Sequence, residues 1–240
     1  MIPTTAGTPL GGRVRHDQPV QGHRTGIEPV LLAAFVAAHP GARVLEGGSG
    51  AGAALLCLAA RVPGIAGLGL ERDPALAALA ARNAVENGFA SLHFLGADLT
   101  THRPDGVFDH AMANPPWHDQ DSTASPDDRR DAAKRAPTGL FAAWAVALAR
   151  PLRHRGTLSF VIAAAHLPAC LTAFAAAGCG SPTILPLWPR AGVAAKLALL
   201  RGVKGGKAGL VLHPGLVLHA ADGGFTPGAE QVLRGGTALG

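Results

Sequence analysis

Short apolar runs rich in β-branched and leucine residues alternate along this chain with longer alanine- and leucine-rich stretches. Residues 42–46 read as a strand that ends in glycines, and 53–61 continue as a helix. Residues 65–71 are a second buried strand. Asp73 before Pro74 marks the cap and first position of a helix running to about Asn87, where Gly88 ends it. Residues 91–95 and 107–113 are further strands, 140–152 a helix, 157–163 a strand and 167–177 a helix. Residues 183–187 and 196–201 close the series as strands. Strands that are apolar throughout, separated by helices, imply a parallel sheet covered on both faces. The expected fold is α/β: a doubly wound, mostly parallel, seven-stranded sheet in a single domain.

Two stretches depart from that rhythm. Residues 118–136 are polar and of mixed charge, with Ser-Pro and Asp-Asp turn signals, and read as a long loop. It carries Arg129, Arg130, Lys134 and Arg135 against Asp119, Asp121, Asp127 and Asp128, and is expected to order when substrate binds. In the tail, Pro214-Gly215 separates two near-identical runs, Leu210-Val-Leu-His213 and Leu216-Val-Leu-His219. They form either a strand pair or one interrupted edge strand. Residues 226–233 suggest a short helix.

Composition excludes a disordered chain: 48% of residues are hydrophobic and only 15% charged. Cys57, Cys170 and Cys179 form no CxxC pair, so neither a disulfide framework nor a zinc site fits. The uncharged stretch 156–189 is long enough for a membrane span, but His166, Pro168, Gly178, Gly180 and Pro182 interrupt it. A soluble, cytoplasmic protein without membrane contact is expected. The net charge of +5 is unevenly spread, because residues 132–221 hold ten Lys or Arg and no acid. That asymmetry points to an anionic partner, nucleic acid first. Lys204 and Lys207, flanking Gly205-Gly206, are either phosphate contacts or a solvated loop.

The stretch Glu46-Gly-Gly48-Ser49-Gly50-Ala-Gly52 sits between the first strand of the series and its helix. Glycines there allow a sharp turn and a close approach of backbone to ligand at a helix N-terminus. Gly48-x-Gly50-x-x-Ala53 also matches a dinucleotide fingerprint. Glu46 separates the two readings. Beside a pyrophosphate its carboxylate is repelled, by about 1–4 kcal/mol for unit charges about 4 Å apart in wet surroundings. Beside a cationic ligand without phosphate, such as S-adenosylmethionine, it helps. Glu71 ends the next strand and can accept from ribose hydroxyls. Asp98, after the third, can accept from an adenine amine. Either acid alone reads first as a helix cap or a solvated loop residue, but three acids at three successive strand ends favour an adenosyl cofactor. Eleven histidines are scattered without ligand spacing, so no metal is expected.

Asn114-Pro115-Pro116-Trp117 follows the fourth strand directly. With this tetrapeptide the chain resembles the class I S-adenosylmethionine-dependent methyltransferases that act on amines. More narrowly, it is similar to the bacterial tRNA1(Val) (adenine-N6)-methyltransferase family. The residues carrying that likeness are Gln21-Gly-His-Arg24-Thr-Gly26-Ile-Glu28-Pro, the glycine-rich loop, Asn114 to Trp117, Leu216-Val-Leu-His219 and Thr226-Pro-Gly-Ala-Glu230. The resemblance implies a Rossmann-like fold with a substrate- and cofactor-lid segment over 1–40, a core over 41–203 and a strand and helix extension over 204–240. It implies S-adenosyl-L-methionine as cofactor, and tRNA as substrate, at an adenine of the anticodon loop of tRNA(Val). No oligomer is required.

The implied cofactor residues are Arg24, Gly26, Glu46, Gly48, Ser49, Gly50, Glu71, Asp98 and Asn114. The implied catalytic residues are Asn114, Pro115, Pro116 and Trp117. An exocyclic adenine amine is a poor nucleophile because its lone pair is delocalised into the ring. If the Asn114 side-chain carbonyl and the Pro115 backbone carbonyl accept its two hydrogens, that pair turns toward the methyl donor. Trp117 would stack on the base, worth about 1–3 kcal/mol. The chain departs from the family at Glu46 and Glu28, where aspartate is usual, and at Trp117, where tyrosine is. Two other readings remain: an N5-glutamine protein methyltransferase of the release-factor type, and a non-catalytic binder of S-adenosylmethionine or RNA.

Overall fold

The computed structural model describes residues 2–21, 25–116 and 139–239. Seven strands form the centre of one sheet: β3 (Arg43–Gly47), β4 (Ala66–Glu71), β5 (Leu92–Gly96), β6 (Phe108–Ala113), β7 (Leu152–Ala163), β8 (Cys179–Trp188) and β9 (Leu197–Lys204). Their order is β5-β4-β3-β6-β7-β9-β8, with β9 antiparallel to both neighbours and all other pairs parallel. The order reverses at β3 and β6, so ligands are expected outside the carboxyl ends of those strands.

Alternate strand residues face the two sides. Val44, Met112, Val161 and Leu199 pack on one face, against α1 (Glu28–Phe35), α2 (Ala53–Arg61) and part of α3 (Pro74–Glu86). Leu45, Ala113, Phe160 and Leu200 pack on the other, against α4 (Leu140–Ala149) and α5 (Leu167–Ala176). Asp73 accepts from the Ala75 N–H at 2.8 Å and Pro74 opens α3, as the sequence predicts. The helix expected over 140–152 stops at Ala149, because Pro151 offers no N–H and its ring crowds the preceding turn.

At the β8 edge the sheet has two more strands than the expected seven. β10 (Val211–Leu212) and β11 (Leu216–Val217) both pair in parallel with β8, so the tail is one interrupted edge strand. Between them Gly215 takes a φ of 91°, and the Trp188 indole N–H donates to the Pro214 carbonyl at 3.1 Å. Thr226 then caps α6 (Pro227–Leu233).

The N-terminal segment holds more structure than its sequence reveals. β1 (Thr4–Gly7) and β2 (His16–Pro19) form a separate hairpin, and α1 buries every residue from Val30 to Phe35. Residues 30–36 of that segment therefore lie in the core. Asn83 of α3, fully buried, ties the hairpin down: its carbonyl accepts from Asp17 N at 3.2 Å, and its amide donates to the carbonyls of Asp17 (2.8 Å) and Ala51 (2.9 Å). Asn83→Ala is expected to cost about 3 kcal/mol by orphaning buried backbone groups. At about 2–4 °C per kcal/mol for a chain of this size, thermal unfolding should fall by about 6–12 °C. An unchanged melting temperature would show the hairpin to be energetically independent of α3.

Candidate active site

The paired registers place the carboxyl ends of four strands side by side. Glu46 lies opposite Gly69 and Met112, and Glu71 opposite Gly96. Between β3 and α2 the chain turns through Gly48 (φ 64°), Gly50 (φ 52°) and Gly52 (φ 89°), a left-handed conformation that side chains resist. At Gly48 space is also decisive, since a Cβ there would sit 2.6 Å from the Trp144 ring of α4. Trp144 was not foreseen as part of the site. It is one apolar residue among many on α4, and only packing shows that its ring covers the loop.

Four of the loop's N–H groups are already engaged. Gly48 and Ser49 N–H donate to the Leu70 carbonyl at 2.8 and 3.1 Å, and Gly52 N–H to the Ser49 carbonyl at 2.8 Å. Gly50 N–H donates to Glu71 Oε2 at 2.9 Å, while Glu71 Oε1 accepts from Asp73 N at 2.9 Å. Glu71 thus braces the loop as well as ending β4. The Ser49 hydroxyl is buried against Gly69 of β4, without a hydrogen bond among the described residues.

Glu46 is only 3% exposed. Its Oε2 accepts from Leu55 N at 3.3 Å, at the start of α2. Burial pushes its carboxyl up to about 8; the Leu55 N–H lowers it, and the nearby Glu71 charge raises it further. A buried carboxyl with one long hydrogen bond, beside a second acid, suits a cation. The N–H groups of Gly48, Ser49, Gly50 and Gly52, bonded to Leu70, Glu71 and Ser49, are not free to cradle a pyrophosphate. The two observations together fit a cationic, phosphate-free cofactor and not a dinucleotide.

Asp98 follows β5, where its Oδ1 accepts from Thr100 N (2.7 Å) and Thr100 Oγ1 (2.6 Å). Those bonds, the hydroxyl's first, hold its carboxyl below the usual range. Asp98 therefore closes a turn with Thr100.

Asn114 is half-buried at the end of β6, Pro115 is buried and Pro116 exposed. Neither the Asn114 side chain nor the Pro115 carbonyl has a hydrogen bond among the described residues. Gly26 precedes α1, and a side chain on it would collide with the Glu28 carboxylate. Arg24, Trp117 and residues 118–136 lie outside the described residues.

The basic half of the chain is partly spent on the fold itself. Arg201 lies over the Phe35 ring at 4.8 Å and donates to the Phe35 carbonyl. Arg153 pairs with Asp109, and Lys204 donates to the Ala177 carbonyl at 3.1 Å. Among the described residues no cluster of His, Cys, Asp or Glu could hold a metal, and no helix is long and apolar enough to cross a membrane.

Comparison with known proteins points to methyltransferases. Residues 27–137 match the methyltransferase small domain family. A tRNA1(Val) (adenine(37)-N6)-methyltransferase of Actinobacillus succinogenes is 31% identical over 159 residues, 63% of this chain and 64% of the relative. A ribosomal protein L11 methyltransferase of Myxococcus xanthus is 34% identical over 104 residues, 40% of this chain and 35% of that one. The matched stretches span 35–64% of the lengths of the curated relatives. Among solved structures, one described as a predicted O-methyltransferase from Agrobacterium tumefaciens superposes with a TM-score of 0.73 at 26% identity, covering 89% of this chain and 98% of that chain.

Proposed function

We infer that this chain, whose residues 27–137 belong to the methyltransferase small domain family and whose cofactor is S-adenosyl-L-methionine, methylates the N6 amine of an adenine in tRNA. The observation that carries this reading is the free acceptor pair at the end of β6. Among the described residues Asn114 Oδ1 and the Pro115 carbonyl are unbonded beside the glycine-rich loop, and two acceptors are what a planar –NH2 needs. The cofactor supplies an electrophilic methyl group on a sulfonium centre.

Asn114 and Pro115 would hold the two amine hydrogens so that the nitrogen lone pair faces the methyl. Pro115, buried and locked in φ, keeps its carbonyl from swinging away. The gain comes from orientation and placed dipoles. The methyl–sulfur bond would break as the N–C bond forms, leaving a neutral thioether, and the amine would give up its extra proton to solvent. Glu46, buried and aimed at the loop, would face the cationic end of the cofactor, and Glu71 its ribose. Arg24 and Trp117 complete the proposal, with Trp117 stacked on the target base.

Adenine 37 of tRNA1(Val) is the substrate in the names of the tRNA-methylating relatives, and an adenine of the anticodon loop is the target proposed for this chain. Purified protein is to be incubated with methyl-labelled cofactor and total bacterial tRNA, followed by nucleoside analysis. N6-methyladenosine is the expected product, in tRNA(Val) before other species. The L11 methyltransferase relative favours a second reading, methylation of a protein amine or amide. Label in ribosomal or release-factor protein and none in RNA would replace the first reading with that one. Cofactor binding without label in either would leave a non-catalytic binder.

A further inference from the structure

A groove of about 480 Å³ runs between residues 99–106 and α4. Its floor is Ala142, Ala143 and Ala147 with the 43%-exposed Val146, and its rim carries Arg103 and Arg150. Neither guanidinium has a hydrogen bond or ion pair among the described residues, unlike Arg153, Arg201 and Lys204. Arg43 adds a third cation at the lower end. Its guanidinium lies over Phe108 and against Gly106, which lines the groove.

The upper end adjoins the candidate active site. Leu99 lines the groove and packs at the Gly47 end of β3, and Thr100 lines it while bonding Asp98. From Ala142 to Arg150 the helix rises about 12 Å. The groove therefore leads from the carboxyl edge of the sheet, where the candidate active site lies, down to these cations.

We propose that this groove holds the RNA strand next to the target adenine, with Arg103 and Arg150 on its phosphates and the alanine floor under its riboses or bases. The inference rests on the reading of RNA as substrate. Charge selects the occupant. The free arginines outnumber the one exposed acid of the same loop, Asp105, and the floor offers small side chains where a protein partner's anchors would need deep apolar pockets.

The test compares Arg103→Gln/Arg150→Gln with Arg155→Gln/Lys207→Gln, which removes equal charge elsewhere on the acid-free half. Both arginines of the groove are exposed, so neither change disturbs the core. Binding of a labelled anticodon stem-loop is followed across salt concentrations, with cofactor-induced thermal shift as the folding control. The groove variant is expected to bind about tenfold more weakly, with the salt slope reduced by about 1.4 for two lost phosphate contacts to a single strand. Its cofactor shift stays that of the parent, and Arg103→Gln alone shows part of the loss. The control variant stays within about twofold of the parent. If the parent binds and methylates RNA while both variants weaken equally, or neither does, the groove assignment fails and the RNA reading stands. If the parent neither binds nor methylates RNA, both fall.

Discussion

Asn114→Ala is expected to lower methyl transfer by about 10²–10³-fold, the scale on which one placed dipole at a reacting centre acts. Folding should be unaffected, because the amide has no hydrogen bond to lose among the described residues. Cofactor affinity should change only modestly, so single-turnover rates at saturating cofactor and RNA separate the chemical step from binding. Asn114→Asp keeps oxygen acceptors at the same place and should recover part of the rate. Loss of cofactor binding in step with activity would instead assign Asn114 to the cofactor. A variant as active as the parent would remove the tetrapeptide from the mechanism.

The second large effect is in pH. With its carboxyl pushed up to about 8 by burial, Glu46 is mostly protonated at pH 7 in the ligand-free protein. A cation placed beside it favours the carboxylate, so cofactor binding expels a proton. Affinity should rise about tenfold per pH unit between pH 6 and 8 and level off above that. Stability of the ligand-free protein runs the other way. The folded carboxyl titrates above its unfolded value of 4.5, so its contribution is complete below pH 4.5 and is lost as pH rises through about 8. Glu46→Gln should flatten both profiles. Calorimetric titration in buffers of different ionisation enthalpy counts the released proton directly. A pH-independent affinity in the parent would place the cation away from Glu46.

Much of the fold was legible because local rules and tertiary structure agree. Asp73-Pro74 capped its helix as expected, and the glycine-rich loop fell at a strand–helix joint. Disagreements came where a local signal was weak or ambiguous. The β1–β2 hairpin lacks apolar alternation, since His16, Asp17 and Gln18 are buried polar residues whose burial depends on contacts such as those with Asn83. Strand β8 begins four residues before its apolar run because Ser181, at φ 50°, absorbs a bulge within the pairing to β9.

The sequence by itself determined the layered α/β architecture and the positions of its acids and of Asn114-Pro115 at successive strand ends. It could do so because strand periodicity, helix caps and proline turns are dictated within a few residues of chain. Tertiary structure decided what those groups do to one another. Glu71 holds the loop, Trp144 covers it, Asp98 closes a turn and Glu46 loses its charge to burial. It also sorted the basic residues into those consumed by carbonyls, rings and Asp109 and those left facing a groove. Desolvation and pairing depend on which distant segments arrive at the same place, and no local pattern encodes that.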